Sequence, residues 1–336
     1  MTQATVDGVK SALKAVKEPV LGRDIVSLGM VKKIEVEKDF AYIQIDLPTP
    51  VYRDRQALEK SVREAACKVP GISDARCLIG VNVPSGSRGQ ATRLPSVKNV
   101  IAVAAGKGGV GKSTVATNLA ASLRLQGARV GMLDADVYGP SLPTMLGELE
   151  EPASTRAGNK IGPAIYYGMS VISVGFFTER DGAVVWRGPM VHKLLQQFVE
   201  DVDWGELDYL IVDLPPGTGD AQLSLTQLLP LTGVVIVSTP QEVALIDVEK
   251  AVSMFKKLEV PILGVIENMS YYICPTCGHH DDIFARGGGA KLAETLGAPF
   301  LGEVPLDRKV RYGGDIGRPI VLGAPESEHG KIFLET

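Results

Sequence analysis

Residues 106–114 read GKGGVGKST and are the part of this sequence best suited to bind a chain of phosphates. They fit the pattern G-x-x-x-x-G-K-S/T, in which closely spaced glycines let backbone N–H groups surround a polyphosphate. Lys112 would reach the β- and γ-phosphates, and the Ser113 hydroxyl would complete the ligands of a Mg²⁺ ion. We call this stretch the phosphate loop. Its predicted nucleotide contacts are Gly106, Lys107, Gly108, Gly109, Val110, Gly111, Lys112, Ser113 and Thr114.

Three aspartates lie at the ends of apolar stretches with the composition of buried strands. Asp134 and Asp136 follow residues 129–133, and Asp213 ends a second apolar stretch. Phosphoryl transfer needs a metal ion against the β- and γ-phosphate oxygens and an oriented attacking water. We expect Asp213 to hold Mg²⁺ through a water, Asp136 to position the nucleophilic water, and Asp134 to lie closer to the metal. Capping of the following helix is the structural alternative for each carboxylate.

Residues 214–220 read LPPGTGD and follow Asp213 directly. We call them the proline loop. Glycines and prolines suit a loop with two discrete arrangements, and the Gly217 N–H is predicted to sense the γ-phosphate. A rigid loop that packs against a neighbouring element is the alternative.

Cys274 and Cys277 are separated by two residues and are followed by His279 and His280. Two thiolates at this spacing can bind one metal, but a complete zinc or cluster site has about four protein ligands. Two identical chains could each donate the pair to a bridging [4Fe-4S] cluster, or a histidine could complete a zinc site. Local chemistry leaves both open. A redox dithiol is disfavoured, because the motif does not open a thioredoxin-like helix.

The composition excludes several classes of protein. A hydrophobic content of 45% and a charged content of 22% are ordinary for a globular protein, and a net charge of −4 argues against a dedicated nucleic-acid binder. No apolar run approaches the ~20 residues that span a bilayer, and residues 1–17 lack the apolar core of a signal peptide. We therefore expect a cytoplasmic protein with neither nucleic acid nor membrane as partner. In that compartment, its four cysteines favour metal or redox chemistry over disulfides.

Hydrophobic periodicity predicts the elements that position these groups. Residues 1–83 resemble a small α/β (α+β) domain, residues 84–97 a linker rich in turn-forming residues, and residues 98–336 a larger α/β domain. In the larger domain, short apolar strands alternate with helical segments, which predicts a doubly wound, mostly parallel sheet with ligands at the carboxyl ends of its strands. The predicted strands are residues 100–105, 129–133, 170–174, 208–213, 233–238 and 262–266.

Four short segments of the larger domain together resemble a known family. KGGVGKST resembles the deviant Walker A motif of the MinD and ParA ATPases and of nitrogenase iron protein. Three further segments are similar to the Mrp/ApbC branch, the iron–sulfur cluster carrier ATPases, and the likeness covers about residues 98–320. They are DADVYGPS at 134–141, WRGPM at 186–190 and DLPPGTGD at 213–220.

The resemblance implies a homodimer that sandwiches ATP and hydrolyses it slowly. Lys107 would then cross the interface to the phosphates of the partner, and Asn268 matches the position that contacts adenine. Cys274 and Cys277 from both subunits would hold a bridging [4Fe-4S] cluster, accepted from a scaffold or donor protein and passed to apo iron–sulfur proteins. On this basis the resemblance favours cluster over zinc.

The first domain has a resemblance of its own. Residues 19–31 resemble the start of the small domain found in iron–sulfur assembly factors. Relatives often carry a cysteine after the central strand, whereas residues 47–53 have none, so we expect this domain to dock a partner. Cys67 and Cys77 are expected to be half-buried core residues.

The alternative function is a dimerisation switch of the MinD or ParA type with a structural zinc site. Membrane attachment of the MinD type uses a basic amphipathic helix, whereas residues 323–336 are acidic. DNA-coating ParA proteins need a basic face, which the net charge does not favour. Neither membrane attachment nor DNA coating by itself explains the two cysteines.

Overall fold

In the computed structural model, the chain divides into two compact units, Met1–Pro84 and Ser85–Thr336. The structure describes residues 5–19, 21–52, 54–86, 93–147, 160–177, 188–217 and 219–336. Within these ranges no helix is both long enough and apolar enough to cross a membrane. Part of the predicted linker, together with Trp186, Arg187 and Thr218 of the quoted motifs, lies outside the described residues.

The first unit packs two helices against a three-stranded sheet. Its elements are α1 (Val6–Leu13), β1 (Val31–Glu37), β2 (Phe40–Leu47), α2 (Arg55–Cys67) and β3 (Asp74–Val81). Central strand β2 pairs antiparallel with β1 and parallel with β3. Every second residue of β2 is buried, as its period-two pattern predicts. These residues form one core with the apolar faces of both helices.

The two cysteines of this unit differ in environment. Cys77, on β3, is buried, and burial raises the pKa of its thiol to about 12. Cys67 is the last residue of α2 and is exposed, so the expectation of a half-buried core position is wrong for it. The physical reason is that Cys67 lies past the apolar face of α2, which ends at Ala65 and Ala66.

The second unit is built on a nine-stranded sheet with helices on both faces. Its strands are β4 (Val97–Ala104), β5 (Val130–Asp134), β6 (Ala164–Tyr166), β7 (Met169–Ser173), β8 (Leu207–Asp213), β9 (Gly233–Ser238), β10 (Ile262–Ile273), β11 (His280–Asp281) and β12 (Phe300–Leu306). Its helices are α3 (Lys112–Leu125), α4 (Leu142–Met145), α5 (Gly188–Glu200), α6 (Asp220–Leu228), α7 (Glu242–Lys257), α8 (Gly288–Leu296), α9 (Arg308–Asp315), α10 (Ile320–Gly323) and α11 (Glu328–Glu335).

The sheet confirms the predicted doubly wound, mostly parallel architecture. Its strand order is β11-β10-β9-β4-β8-β5-β7-β6, and β12 pairs with β10. Among the described strands of this sheet, only β6 and β11 run antiparallel to their neighbours. One core lies between the sheet and α5, α6, α7 and α8, and the other between the sheet and α3, α10 and α11. Such a sheet opens its ligand crevice at the carboxyl edge.

The six predicted strands correspond to β4, β5, β7, β8, β9 and β10. Five have ends within three residues of the prediction, but β10 continues to Ile273, well beyond residue 266. This extension places Asn268 inside the strand and ends immediately before Cys274. The prediction missed it because the polar segment that follows Ile266 interrupts the apolar run.

Candidate functional site

The phosphate loop connects the central strand β4 to the first turn of α3. The N-terminus of this 14-residue helix presents free N–H groups and the positive end of its dipole to the loop. A Cβ on Gly106 would lie 2.4 Å from the Asp247 carbonyl carbon, so α7 packs where only a glycine fits. Space around Gly108 and Gly109 is open, which leaves their backbone free to approach a ligand. The loop is therefore shaped as an anion cradle.

Two acidic strand ends meet beside the cradle because β5 and β8 pair in register, with Asp134 opposite Asp213. The Lys112 ammonium donates to Asp213 Oδ1 at 2.6 Å, and both side chains are buried. Asp213 Oδ2 is buried and has no hydrogen-bond partner among the described residues. A buried carboxylate oxygen without a partner suits water in the shell of a Mg²⁺ ion, since Mg²⁺ keeps several waters when it binds protein. These residues fit the predicted metal.

Asp134 is completely buried and is engaged by the chain itself. It accepts hydrogen bonds from the Ser173 hydroxyl at 2.9 Å and from the backbone N–H groups of Asp136, Ser141 and Leu142 at 3.2 Å. Burial and the charge of Asp213 raise its pKa to about 7. Asp134 therefore holds the segment after β5 in place, from Asp136 to the start of α4.

Asp136 lies two residues past the end of β5 and is half-buried. Burial raises the pKa of its carboxyl, and the nearby charge of Lys112 opposes that shift. Asp136 also lines a cavity of about 810 Å³ with Pro215 and Pro216 of the proline loop. The structure thus brings Asp136, Lys112 and Asp213 to one edge of the sheet.

The Gly217 N–H, predicted to sense the γ-phosphate, is engaged in this structure. It donates to the carbonyl of Ala105 at 3.1 Å, directly before the phosphate loop. At the start of the proline loop, the Leu214 N–H donates to the carbonyl of Val103 on β4. The proline loop is therefore held against the end of β4, directly before the phosphate loop.

Asn268 is buried and donates from Nδ2 to the carbonyl of Val110 at 2.7 Å. This bond anchors the phosphate loop to β10, a contact that the motif at Asn268 does not predict. Its neighbour Glu267 accepts from the backbone N–H groups of Gly287 and Gly289 at the start of α8. The only signal in the sequence was the glycine run 287–289, which lets backbone approach a buried carboxylate closely.

Replacing Gly111 with alanine should weaken ATP binding by at least about tenfold. Gly111 has a φ of +79°, and a Cβ there would lie 2.2 Å from Asn268 Nδ2, so the bond to Val110 would break. Left-handed backbone adds about 1–2 kcal/mol of strain for a residue with a side chain. Gly127→Ala is the matched control, because Gly127 has a φ of +97° in open space. Isothermal titration with ATP should separate the two variants; equal affinities would contradict the role of the Asn268 anchor.

Cys274 and Cys277 lie in a hairpin formed by the end of β10 and by β11. We call residues 272–281 the cysteine hairpin. The Gly278 N–H donates to the Cys274 carbonyl, and a φ of +70° at Gly278 completes the turn. Hydrogen bonds from the backbone N–H groups of Thr276 and Cys277 lower the pKa of the Cys274 thiol. A thiolate is the form that binds metal, and Cys277 is exposed, so the pair is accessible for this chemistry.

No group of three or more Cys, His, Asp or Glu that could hold a metal occurs among the described residues. The cysteine pair is therefore short of the four ligands that zinc or an iron–sulfur cluster takes. His280 stacks on Tyr271, and the Arg286 guanidinium lies 4.9 Å from the same ring. These contacts order the hairpin around the two cysteines.

Two family models match the chain. The model described as NUBPL iron-transfer P-loop NTPase matches residues 96–336, and the model described as iron-sulfur cluster assembly protein matches residues 7–78. The iron-sulfur cluster carrier protein of Deinococcus radiodurans is 50% identical over 321 residues, which cover 96% of this chain and 90% of that protein. The iron-sulfur cluster carrier protein of Escherichia coli K12 is 40% identical over 328 residues, with coverages of 97% and 89%.

Two solved structures are similar to about 70% of the chain. A nucleotide-binding protein from Archaeoglobus fulgidus in complex with ADP is 38% identical, with a TM-score of 0.61 over 72% of this chain and 94% of that one. The cell division ATPase MinD from Pyrococcus furiosus, 24% identical, has a TM-score of 0.54 over 70% of this chain and 95% of that one. The second likeness concerns the fold alone.

Proposed function

The chain belongs to the iron–sulfur cluster carrier proteins of the P-loop NTPase family, and we propose that it works as an ATP-hydrolysing homodimer carrying a [4Fe-4S] cluster. Two chains would share each cluster through Cys274 and Cys277. The observation that carries the proposal is the cysteine hairpin: two accessible thiols, one with a lowered pKa, without further ligands among the described residues. A second copy of the chain supplies the missing pair.

Hydrolysis is assigned to the residues around the phosphate loop. On ATP binding, Lys112 would exchange Asp213 for the β- and γ-phosphates, and Asp213 would then be free to hold Mg²⁺ through a water. Mg²⁺, when bound, neutralises charge that develops on the phosphate oxygens. Asp136 orients the attacking water, while Asp134 keeps the segment that carries Asp136 in position. Lys107 reaches across the dimer, and Asn268 lies beside the adenine.

Strand β10 offers a physical connection between nucleotide and cluster. It is bonded to the phosphate loop through Asn268 and leads directly into Cys274. Closure of the dimer on ATP would change the distance between the two cysteine pairs, and thereby how tightly they hold the cluster. Such coupling is reciprocal for binding, so a bound cluster changes ATP affinity by the same factor.

The partners in this scheme are a scaffold or donor that supplies the cluster and apo-proteins that receive it. The first unit, which matches the assembly-protein model, is assigned to partner docking, because its only described cysteines are one buried and one isolated at a helix end. We place the carrier in the cytoplasm, a reducing compartment where such thiols stay free.

Anaerobic reconstitution of the full chain tests this function. We expect about four iron and four sulfide per two chains, a dimeric mass by light scattering, and recovery of activity when the product is mixed with an apo-enzyme that needs a [4Fe-4S] cluster. Apo-enzyme with free iron and sulfide at the same concentrations is the control. Stoichiometric zinc with no transferable cluster would instead support a MinD- or ParA-type dimerisation switch with a structural metal.

A further inference from the structure

The cysteine hairpin has one arm rooted in the sheet and one short, exposed arm. The first arm is the end of β10. The second arm is β11, where Asp281 lies opposite Tyr272 and His280 lies opposite Ile273. Two-stranded hairpins are marginally stable in water without further packing. The position of the second arm, and with it that of Cys277 in the turn, therefore depends on contacts beyond this short ladder.

A stack of side chains crosses the base of the hairpin. The ring of His280, on the second arm, lies 5.8 Å from the ring of Tyr271 on β10, with an angle of 20° between the two planes. The Arg286 guanidinium lies over the same Tyr271 ring, 4.9 Å from its centroid. A planar guanidinium on an aromatic face combines cation–π attraction with stacking. The Tyr271 ring thus joins both arms to a residue outside the hairpin.

Arg286 is itself attached to the sheet at two points. Its Nε and Nη2 donate to Glu303 Oε2 at 3.0 and 2.6 Å, and Glu303 lies on β12 opposite Glu267 of β10. The N–H of Gly287, the next residue, donates to the fully buried Glu267 carboxylate at 2.9 Å. Arg286 is therefore fixed relative to the sheet. We call the connected side chains the arginine clamp; they are Glu303, Arg286, Tyr271 and His280.

We propose that Arg286 is a positioning residue for the cysteine pair and acts through the ring of Tyr271. His280 follows Cys277 by three residues, so a fixed second arm limits where the Cys277 thiol lies relative to Cys274. Side chains that orient metal ligands from behind typically raise the affinity of a site. This inference rests on the proposed function in taking the bound group to be a cluster, whereas the ordering of the hairpin by the clamp does not depend on it.

Hydrogen exchange on the full chain without cluster tests the ordering. Arg286→Leu should speed exchange at the Cys274 and Gly278 amides, which donate within the hairpin, by at least about threefold. Arg63→Leu is the matched control, because Arg63 is 50% exposed against 47% for Arg286 and also pairs with a carboxylate, that of Asp74, in the first unit. It should leave exchange in the hairpin unchanged. Equal exchange in Arg286→Leu and the unchanged chain would overturn the clamp.

The reconstituted cluster provides a second, spectroscopic measurement. Arg286→Leu and Tyr271→Leu should release iron to a chelator at least about threefold faster than the unchanged chain. Their visible circular dichroism should also differ, because the cysteines no longer hold one geometry. Tyr271→Phe should match the unchanged chain in both, since it keeps the ring face that Arg286 and His280 contact. Release from Tyr271→Phe as fast as from Tyr271→Leu would contradict a role of the ring.

Melting temperature and ATP affinity separate positioning from folding. Arg286→Leu should melt within about 2 °C of the unchanged chain, because its side chain is half exposed. It should bind ATP equally well, because the bond from Asn268 to the phosphate loop does not involve Arg286. A large fall in both would mean that the whole second unit relies on Arg286, and would overturn a role specific to the hairpin. If the unchanged chain takes up no cluster, the proposed function fails, and hydrogen exchange still decides the clamp.

Discussion

The double variant Cys274→Ala/Cys277→Ala is expected to bind no iron–sulfur cluster after anaerobic reconstitution. The cysteine hairpin supplies the only paired thiols among the described residues, and the other two cysteines lie apart on α2 and β3. Loss of both ligands on each of two chains leaves a cluster with no thiolates, so the effect should be complete. Iron and sulfide analysis and visible absorption measure it directly.

The same variant should fold and hydrolyse ATP like the unchanged chain without cluster. Cys277 is exposed and Cys274 is partly exposed, and exposed substitutions usually change stability by less than about 0.5 kcal/mol. Cys67→Ala is the control: an exposed cysteine is removed from the first unit, and full cluster content should remain. Cluster retained by the double variant would contradict the proposed ligands, and cluster lost in Cys67→Ala would assign ligation to the first unit.

Lys112→Met is expected to abolish ATP hydrolysis and, separately, to destabilise the nucleotide-free protein. Removal of one charged group that stabilises a transferring phosphoryl group costs on the order of 10³ in rate. The stability effect comes from Asp213, which is fully buried and loses its ion partner at 2.6 Å. Leaving one member of a buried ion pair unpaired costs about 3–5 kcal/mol. Steady-state phosphate release and urea unfolding measure the two effects.

Two variants separate catalysis from stability. Lys112→Met/Asp213→Asn removes the unpaired charge, so it should recover most of the lost stability and none of the activity. Lys107→Met makes the same side-chain change in the same loop, but Lys107 forms no ion pair with any described residue. It should lose hydrolysis, because its proposed target is the partner's phosphates, and keep the stability of the unchanged chain. A stable Lys112→Met single variant would contradict the structural role of the pair.

The sequence was sufficient for features that depend on neighbouring residues. The glycine spacing of residues 106–114 predicts a phosphate loop because backbone freedom at those positions is a local property. The alternation of Ala41, Ile43 and Ile45 likewise predicts one buried face of β2, which the structure confirms. Cys67 was misjudged since the end of an apolar helix face depends on how α2 packs, beyond its own residue pattern.

Contacts between distant segments needed the structure. Lys112 bonds Asp213 across 101 residues, and Asn268 bonds Val110 across 158. The prediction placed Asn268 just after a strand, whereas β10 carries it onward to the cysteine hairpin.

Three chemical features of this protein, the phosphate loop, the acidic strand ends and the cysteine pair, are each encoded by residues a few positions apart. Tertiary structure alone decided which of these groups touch. Strand order and register place Asp134 opposite Asp213 and lead β10 from the phosphate loop to Cys274. The physical reason is that local spacing sets backbone conformation and side-chain type, whereas long-range contacts arise when distant strands bury their apolar faces in a shared sheet.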